Sequence, residues 1–136
     1  MTRYLFDTGI AGDYINRRAQ VREKAARATK AGHRIGICPP VLGELWDGVF
    51  GSATRDFNER LLLRHLDHFK LWLFDAAACR EYGRLSAELR SRERPMQQAD
   101  IQVAAIALTL GDCVVVSKES DLRAVPGLAV ENWSQP

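Results

Sequence analysis

Short apolar runs alternate along this chain with longer stretches of helical periodicity, and that alternation restricts the fold more than any other feature of the sequence. The runs are Tyr4-Leu5-Phe6, Arg34 to Cys38, Leu71 to Phe74, Cys113 to Val116 and Val125 to Val130. "CVVV" at 113–116 is apolar at every position, the pattern of a strand covered on both faces. After the first run, Ile10, Ala11, Tyr14 and Ile15 share a helical face, Arg- and Lys-rich positions carry the pattern on to Lys30, and Gly32 is placed to cap it. Pro39-Pro40 suits the opening turn of a helix with Val41, Leu45 and Val49 on one side. A further helix from about Thr54 turns Phe57, Leu61 and Phe69 inward. Ala77 to Leu89 sets Ala78, Tyr82, Leu85 and Leu89 at helical spacing before "SRERP" breaks it, and Met96 to Leu110 is an alanine-rich helix closed by Gly111. Strands alternating with helices are joined by right-handed crossovers and lie mostly parallel. The expected fold is α/β, a three-layer α/β/α sandwich with a mostly parallel central sheet, built by residues 1–136 as one domain.

A chain of 136 residues has the length of one ordinary domain, and an apolar share of 46% suffices for its core. The net charge of +2 neither demands nor excludes a nucleic-acid partner, because the distribution of charge matters more than its sum. Cys38, Cys79 and Cys113 are widely spaced and form no CxxC, which gives neither a disulfide framework nor a zinc site. Two of them sit inside apolar runs and read as buried free thiols in a reducing cytoplasm. No apolar stretch approaches the ~20 residues that span a bilayer, and Asp7 interrupts the first apolar segment where a signal peptide would continue. The expectation is a cytoplasmic protein with no membrane association.

In open parallel sheets, ligands bind beyond the carboxyl ends of the strands. Asp7 follows the first strand, Glu44 lies in the opening turns of the helix after the second, Asp100 stands near the start of the alanine-rich helix, and Asp121 follows the fourth strand. Converging carboxylates raise one another's pKa, and a hard cation such as Mg²⁺, which takes oxygen ligands and keeps several waters, relieves the conflict. Such a centre favours phosphoryl chemistry. Each acid also has a plainer reading: Asp7 and Thr8 are good helix caps, Glu44 and Asp100 suit the positive end of a helix, and Asp121 can cap a turn before Pro126. It is their meeting at one sheet edge that favours a metal centre.

The blocks "YLFDTGI", "PPVLGELWDGV", "RPMQQADIQVAAIALTLG" and "VPGLAVENW" span nearly the whole chain, and with them it resembles the PIN-domain ribonucleases of the VapC type, toxins of type II toxin–antitoxin pairs. The resemblance implies a PIN-like fold and cleavage of RNA by a water activated by Mg²⁺ or Mn²⁺. It makes Asp7 and Asp100 the primary metal ligands and gives Glu44 a metal-bound water or a second ion. It also implies a homodimer and a small cognate antitoxin that covers or enters the active-site groove. Asp121 matches a position often acidic in the family, with Glu119 as a nearby substitute. Two positions depart from the pattern. Gly9 stands where the family has an asparagine that orients the acids through hydrogen bonds, and Lys118, preceded by Ser117, stands where it has Asn or Asp. Lys118 is placed to bind the scissile phosphate or to occupy the cation's place, and Thr8, Ser117 and Lys118 are the candidate substrate contacts. The pairs Arg17 and Arg18, Arg92 and Arg94, and Lys118 with Arg123 are further phosphate-binding candidates, mostly of the kind that simply solvates helices. Trp46 and Trp72 read as core or dimer-interface residues.

An aspartyl-phosphatase reading of "FDTG" fails for want of a second acid at position 9, and no P-loop motif is present. The alternative in a different class is a catalytically weakened or inactive PIN-like module that binds RNA or a partner, favoured by Gly9 and Lys118.

Overall fold

The computed structural model describes residues Met1–Pro136. Five strands, β1 (Arg3–Phe6), β2 (Arg34–Ile37), β3 (Lys70–Leu71), β4 (Cys113–Val116) and β5 (Ala129–Glu131), form one sheet in the order β3-β2-β1-β4-β5. Every pairing is parallel; Arg3 sits opposite Arg34 on one side and Cys113 on the other, and Phe6 aligns with Val116. β1 therefore occupies the centre. The chain leaves it first towards β2 and β3, then returns to the opposite side for β4 and β5. The reversal falls between the carboxyl ends of β1 and β4, where an open parallel sheet leaves a crevice.

Helices α1 (Thr8–Ile15) and α2 (Ala19–Lys30) join β1 to β2, α3 (Pro39–Phe50) and α4 (Arg55–Leu66) join β2 to β3, and α5 (Ala76–Ser91) and α6 (Gln98–Leu110) join β3 to β4. Right-handed crossovers set the first four helices on one face and α5 and α6 on the other, the α/β/α sandwich anticipated from the alternation. The core lies where the layers meet the central strands. Leu5, Phe6, Val115 and Val116 are fully buried, and each such side chain contributes ~1.5–3 kcal/mol by leaving water. α6 is buried almost all round through Ile101, Val103, Ala104, Ala105, Ile106 and Ala107; its small residues let it pack closely on α5 and β4. No helix is long and apolar enough to cross a membrane.

Several element boundaries differ from the sequence reading. The helical pattern from Ile10 to Lys30 is two helices, because Arg17 takes φ 60° and its N–H turns back to the Tyr14 carbonyl at 3.1 Å. In α4 the inward residues are Leu62 and His65, while Phe57 is 60% exposed and Phe69 lies beyond the helix end. β3 is two residues rather than Leu71 to Phe74. It is an edge strand, Trp72 N–H still reaches the Ile37 carbonyl at 2.9 Å, and Leu73 already faces solvent. The Trp72 ring lies over Gly36, where a Cβ would come within 2.6 Å of it, so β2 needs glycine there and Trp72 is a packing residue. The last strand starts at Ala129 instead of Val125, since Ser120–Ala124 winds into a 3-10 helix and Gly127 turns at φ 79°. All three cysteines are free. Burial pushes the Cys38 thiol up to about 11 and the Cys113 thiol up to about 12, which leaves both inert near neutrality.

Candidate active site

The crevice at the reversal of strand order is built from four segments. β1 ends on Asp7, whose N–H donates to the Val116 carbonyl at 3.1 Å, so the carboxylate emerges where β1 and β4 finish side by side. Its Oδ1 accepts the Ile10 N–H at 3.0 Å and caps α1. Its Oδ2 accepts the hydroxyl of Ser117, the first residue after β4. Ser117 in turn accepts the Glu119 N–H at 2.9 Å. The capping and the metal-ligand readings of Asp7 are thus compatible: one carboxylate ends a strand, starts a helix and borders the crevice. Pro39 and Pro40 open α3 and bring Glu44 round on its second turn, and α6 contributes Asp100 from its first turn.

These side chains line a cavity of about 170 Å³ whose walls include Asp7, Glu44, Asp100, Glu119 and Asp121, together with Thr8, Gly9 and Gln97, and no lysine, arginine or histidine. All four acids picked out in the sequence border it. Glu119 joins Asp121 there, so the segment after β4 supplies two acids rather than one. Gln97 was not anticipated: it sits at the N-cap of α6, where its residue type gives no signal of a site.

The electrostatics follow from this crowding. Asp7 is only 8% exposed, and burial raises its pKa above the ordinary aspartate value; the hydrogen bonds from Ser117 and Ile10 oppose that, Glu119 adds to it, and Lys118 acts against it. Asp100 is raised as well, by burial first and then by the charges of Glu119, Asp7, Glu44 and Asp121. Burial and the neighbouring negative charges both oppose ionisation, and a bound cation would offset both. The donors are all oxygens, as hard cations prefer. No three acidic, histidine or cysteine side chains gather closely enough to enclose an ion alone.

The candidate substrate contacts separate. Thr8 borders the cavity. Ser117 is 1% exposed with its hydroxyl on Asp7, which makes it a support for the carboxylate rather than a group open to substrate. Lys118 does not occupy a cation's place among the acids. Its Nζ donates to Asp13 Oδ2 at 2.9 Å outside the cavity, and its stem passes over Gly9, where a Cβ would stand 3.4 Å from Lys118 Cε and 3.8 Å from Asp7 Oδ1. Arg92, just past the end of α5, pairs with Glu88 at 2.8 Å. No histidine borders the cavity, and the Ser117 hydroxyl is buried against the Asp7 carboxylate. The cavity therefore offers carboxylates, the Thr8 hydroxyl and room for water, and no histidine-activated nucleophile.

Comparison with known proteins agrees with this geometry. The PIN domain family model matches residues 4–128. Ribonuclease VapC2 of Rickettsia felis is 26% identical over 132 residues, covering 97% of this chain and 98% of that protein. The tRNA(fMet)-specific endonuclease VapC of Shigella flexneri is 29% identical over 135 residues, covering 98% of this chain and 100% of that one. Among solved structures, the fold superposes with a TM-score of 0.90 on a chain of VapBC2 from Rickettsia felis bound to a DNA fragment from their promoter, at 25% identity over 97% of this chain and 99% of that chain. It superposes at 0.89 on a chain of DNA-bound VapBC from Salmonella typhimurium, also at 25% identity, over 98% of this chain and 99% of that one.

Proposed function

We propose, from the premise that this chain belongs to the PIN domain family, that it is a metal-dependent ribonuclease acting as the toxin of a toxin–antitoxin pair. The observation that carries the reading is the cavity of five carboxylates at the reversal point of a parallel sheet, with no cation in its walls. Asp7 and Asp100 would hold a Mg²⁺ or Mn²⁺ ion: both border the cavity, and both carboxyls carry raised pKa values, a penalty that a divalent charge would offset. Such an ion, when bound, polarises a phosphodiester and lowers the pKa of water. Glu44, Glu119 and Asp121 also border the cavity and would accept hydrogen bonds from the water that attacks phosphorus. Ser117 fixes the rotamer of Asp7, and Thr8 at the rim contacts the sugar-phosphate. The O–P bond formed by water replaces the bond to the leaving ribose oxygen, which takes up a proton. The partners are an RNA, a small cognate antitoxin and a second copy of the chain; Phe50, Phe57 and Leu63, all more than half exposed on α3 and α4, are apolar surface suited to protein contact.

A second reading, a PIN-like module that binds without cutting, draws on Gly9, which offers no side chain to organise the acids, and on the Lys118 stem lying across it. Incubation of RNA with the protein in chelator, Mg²⁺ or Mn²⁺ separates the two. The ribonuclease reading expects cutting only with metal. It also expects losses in Asp7→Ala and Asp100→Ala larger than the roughly 10–100-fold typical when an outer partner of a metal ligand is removed, with Ser117→Ala inside that range. Metal-independent cutting, or cutting that survives both aspartate substitutions, contradicts it.

A further inference from the structure

Beside the acid cavity runs a second set of clefts of opposite charge. Lys118 is where they meet. Its stem crosses Gly9, which lines the acid cavity, while the residue also lines a neighbouring cleft of about 510 Å³ together with Arg18 and Ser134. One residue past Ser134, the Gln135 carbonyl accepts a hydrogen bond from Lys24 Nζ. Lys24 lines the next cleft, about 560 Å³, with Arg27 and Arg123. Lys24 and Arg27 are three apart and share one face of α2. Arg123 stands on the same 3-10 helix as Asp121. Two carboxylates face this seam, Asp13 and Glu131. Asp13 is taken by Lys118, and Glu131 accepts the Trp133 indole N–H at 2.9 Å. The arginines and Lys24 form no ion pair. At the far end the cleft closes against Tyr4 and the core residue Trp133, which is 5% exposed.

We infer that a single-stranded RNA engaged at the acid cavity continues along this seam between α2 and the C-terminal tail. Arg18, unpaired beside the Lys118–Asp13 ion pair, meets the phosphate next to the acids, and Lys24, Arg27 and Arg123 hold phosphates further along. The inference rests on the hydrolase reading of the cavity. Five carboxylates repel a polyanion, so a substrate of that charge needs cations next to them to be drawn in. From Arg18 to Arg27 the helix rises ~14 Å, the length of about four stacked nucleotides at ~3.4 Å each. A positively charged groove that tracks the backbone is how single strands are held without reading their sequence.

The test is fluorescence anisotropy of a labelled single-stranded oligoribonucleotide, with metal chelated, across a range of salt. For Lys24→Gln/Arg27→Gln/Arg123→Gln, affinity should fall roughly tenfold or more and the slope of log affinity against log salt should flatten by about 2, at ~0.7 for each phosphate no longer neutralised. The charge-keeping Lys24→Arg/Arg27→Lys/Arg123→Lys should bind as wild type, and circular dichroism should show the same fold in all three. A glutamine variant with wild-type affinity and slope, in a preparation whose wild type cuts RNA, overturns the path and leaves the hydrolase reading standing. A wild type that neither binds nor cuts RNA overturns that reading along with the path. Loss of a protein partner with RNA binding intact reassigns the seam to protein contact and also overturns the path.

Discussion

Asp7 does at least three things at once: it ends β1 by bonding back to β4, caps α1 through Ile10, and presents an oxygen held by Ser117 to the acid cavity. Its neighbour across the cavity, Asp100, is less constrained and feels four other acids. The sign of their titration follows. Both folded pKa values are raised, so the folded chain holds more protons than the unfolded one from the ordinary aspartate range up to the raised values. Stability without metal is lost as pH climbs through that window, and the cost is complete once pH exceeds the raised values. Asp100→Asn should therefore raise the melting temperature of the metal-free protein at pH 7 by a few degrees and abolish the further rise that Mn²⁺ gives wild type. Thermal scans with chelator and with Mn²⁺ read both effects; a variant that melts lower without metal contradicts the account. That Asp7 and Asp100 meet at one sheet edge was legible in the sequence, because Asp7 directly follows a strand and Asp100 opens a helix that starts at the same edge. The segment after β4 was less legible, because a 3-10 helix, which no periodicity announces, brings both Glu119 and Asp121 round to the cavity.

At the scale of elements, the alternation of runs predicted five strands and their sense, and the uniformly apolar "CVVV" marked β4 to the residue. What it missed were edges and interruptions. β3 is two residues long because an edge strand has a partner on one side only, and the break at Arg17 depends on a local φ reversal in an otherwise helical composition. The inward face of α4 was misread because its buried polar residue, His65, looks like surface in a sequence. In the fold, His65 Nδ1–H donates to the Leu61 carbonyl at 2.8 Å, and Nε2 accepts from Arg22, whose guanidinium also lies 4.0 Å over the Tyr14 ring. Burial lowers the pKa of this histidine, and the Arg22 charge lowers it further. The unfolded chain therefore binds more protons just below the ordinary histidine value of ~6.5, and stability drops as pH falls through it. Urea melts between pH 7.5 and 5.5 should show that decline, and His65→Gln, which keeps a neutral side chain able to accept from Arg22, should flatten it. An unchanged slope in the variant rules out His65 as its source.

At the scale of the molecule, a parallel sheet that reverses its strand order makes a crevice, and this chain fills the crevice with acids while lining the adjacent α2 seam with cations. A net charge of +2 hides that division entirely; only the fold sorts charges that are scattered along the sequence. The same sorting explains how a chain with neither a nucleophile–base pair nor a phosphate loop can hydrolyse phosphodiesters, provided the acids hold a divalent ion. Calorimetric titration of the chelator-stripped protein with Mn²⁺ tests that claim most directly. The account predicts saturable binding in wild type that disappears in Asp100→Asn and weakens as pH falls into the raised carboxylate range. Absence of binding in wild type at millimolar Mn²⁺, or undiminished binding in Asp100→Asn, would contradict it.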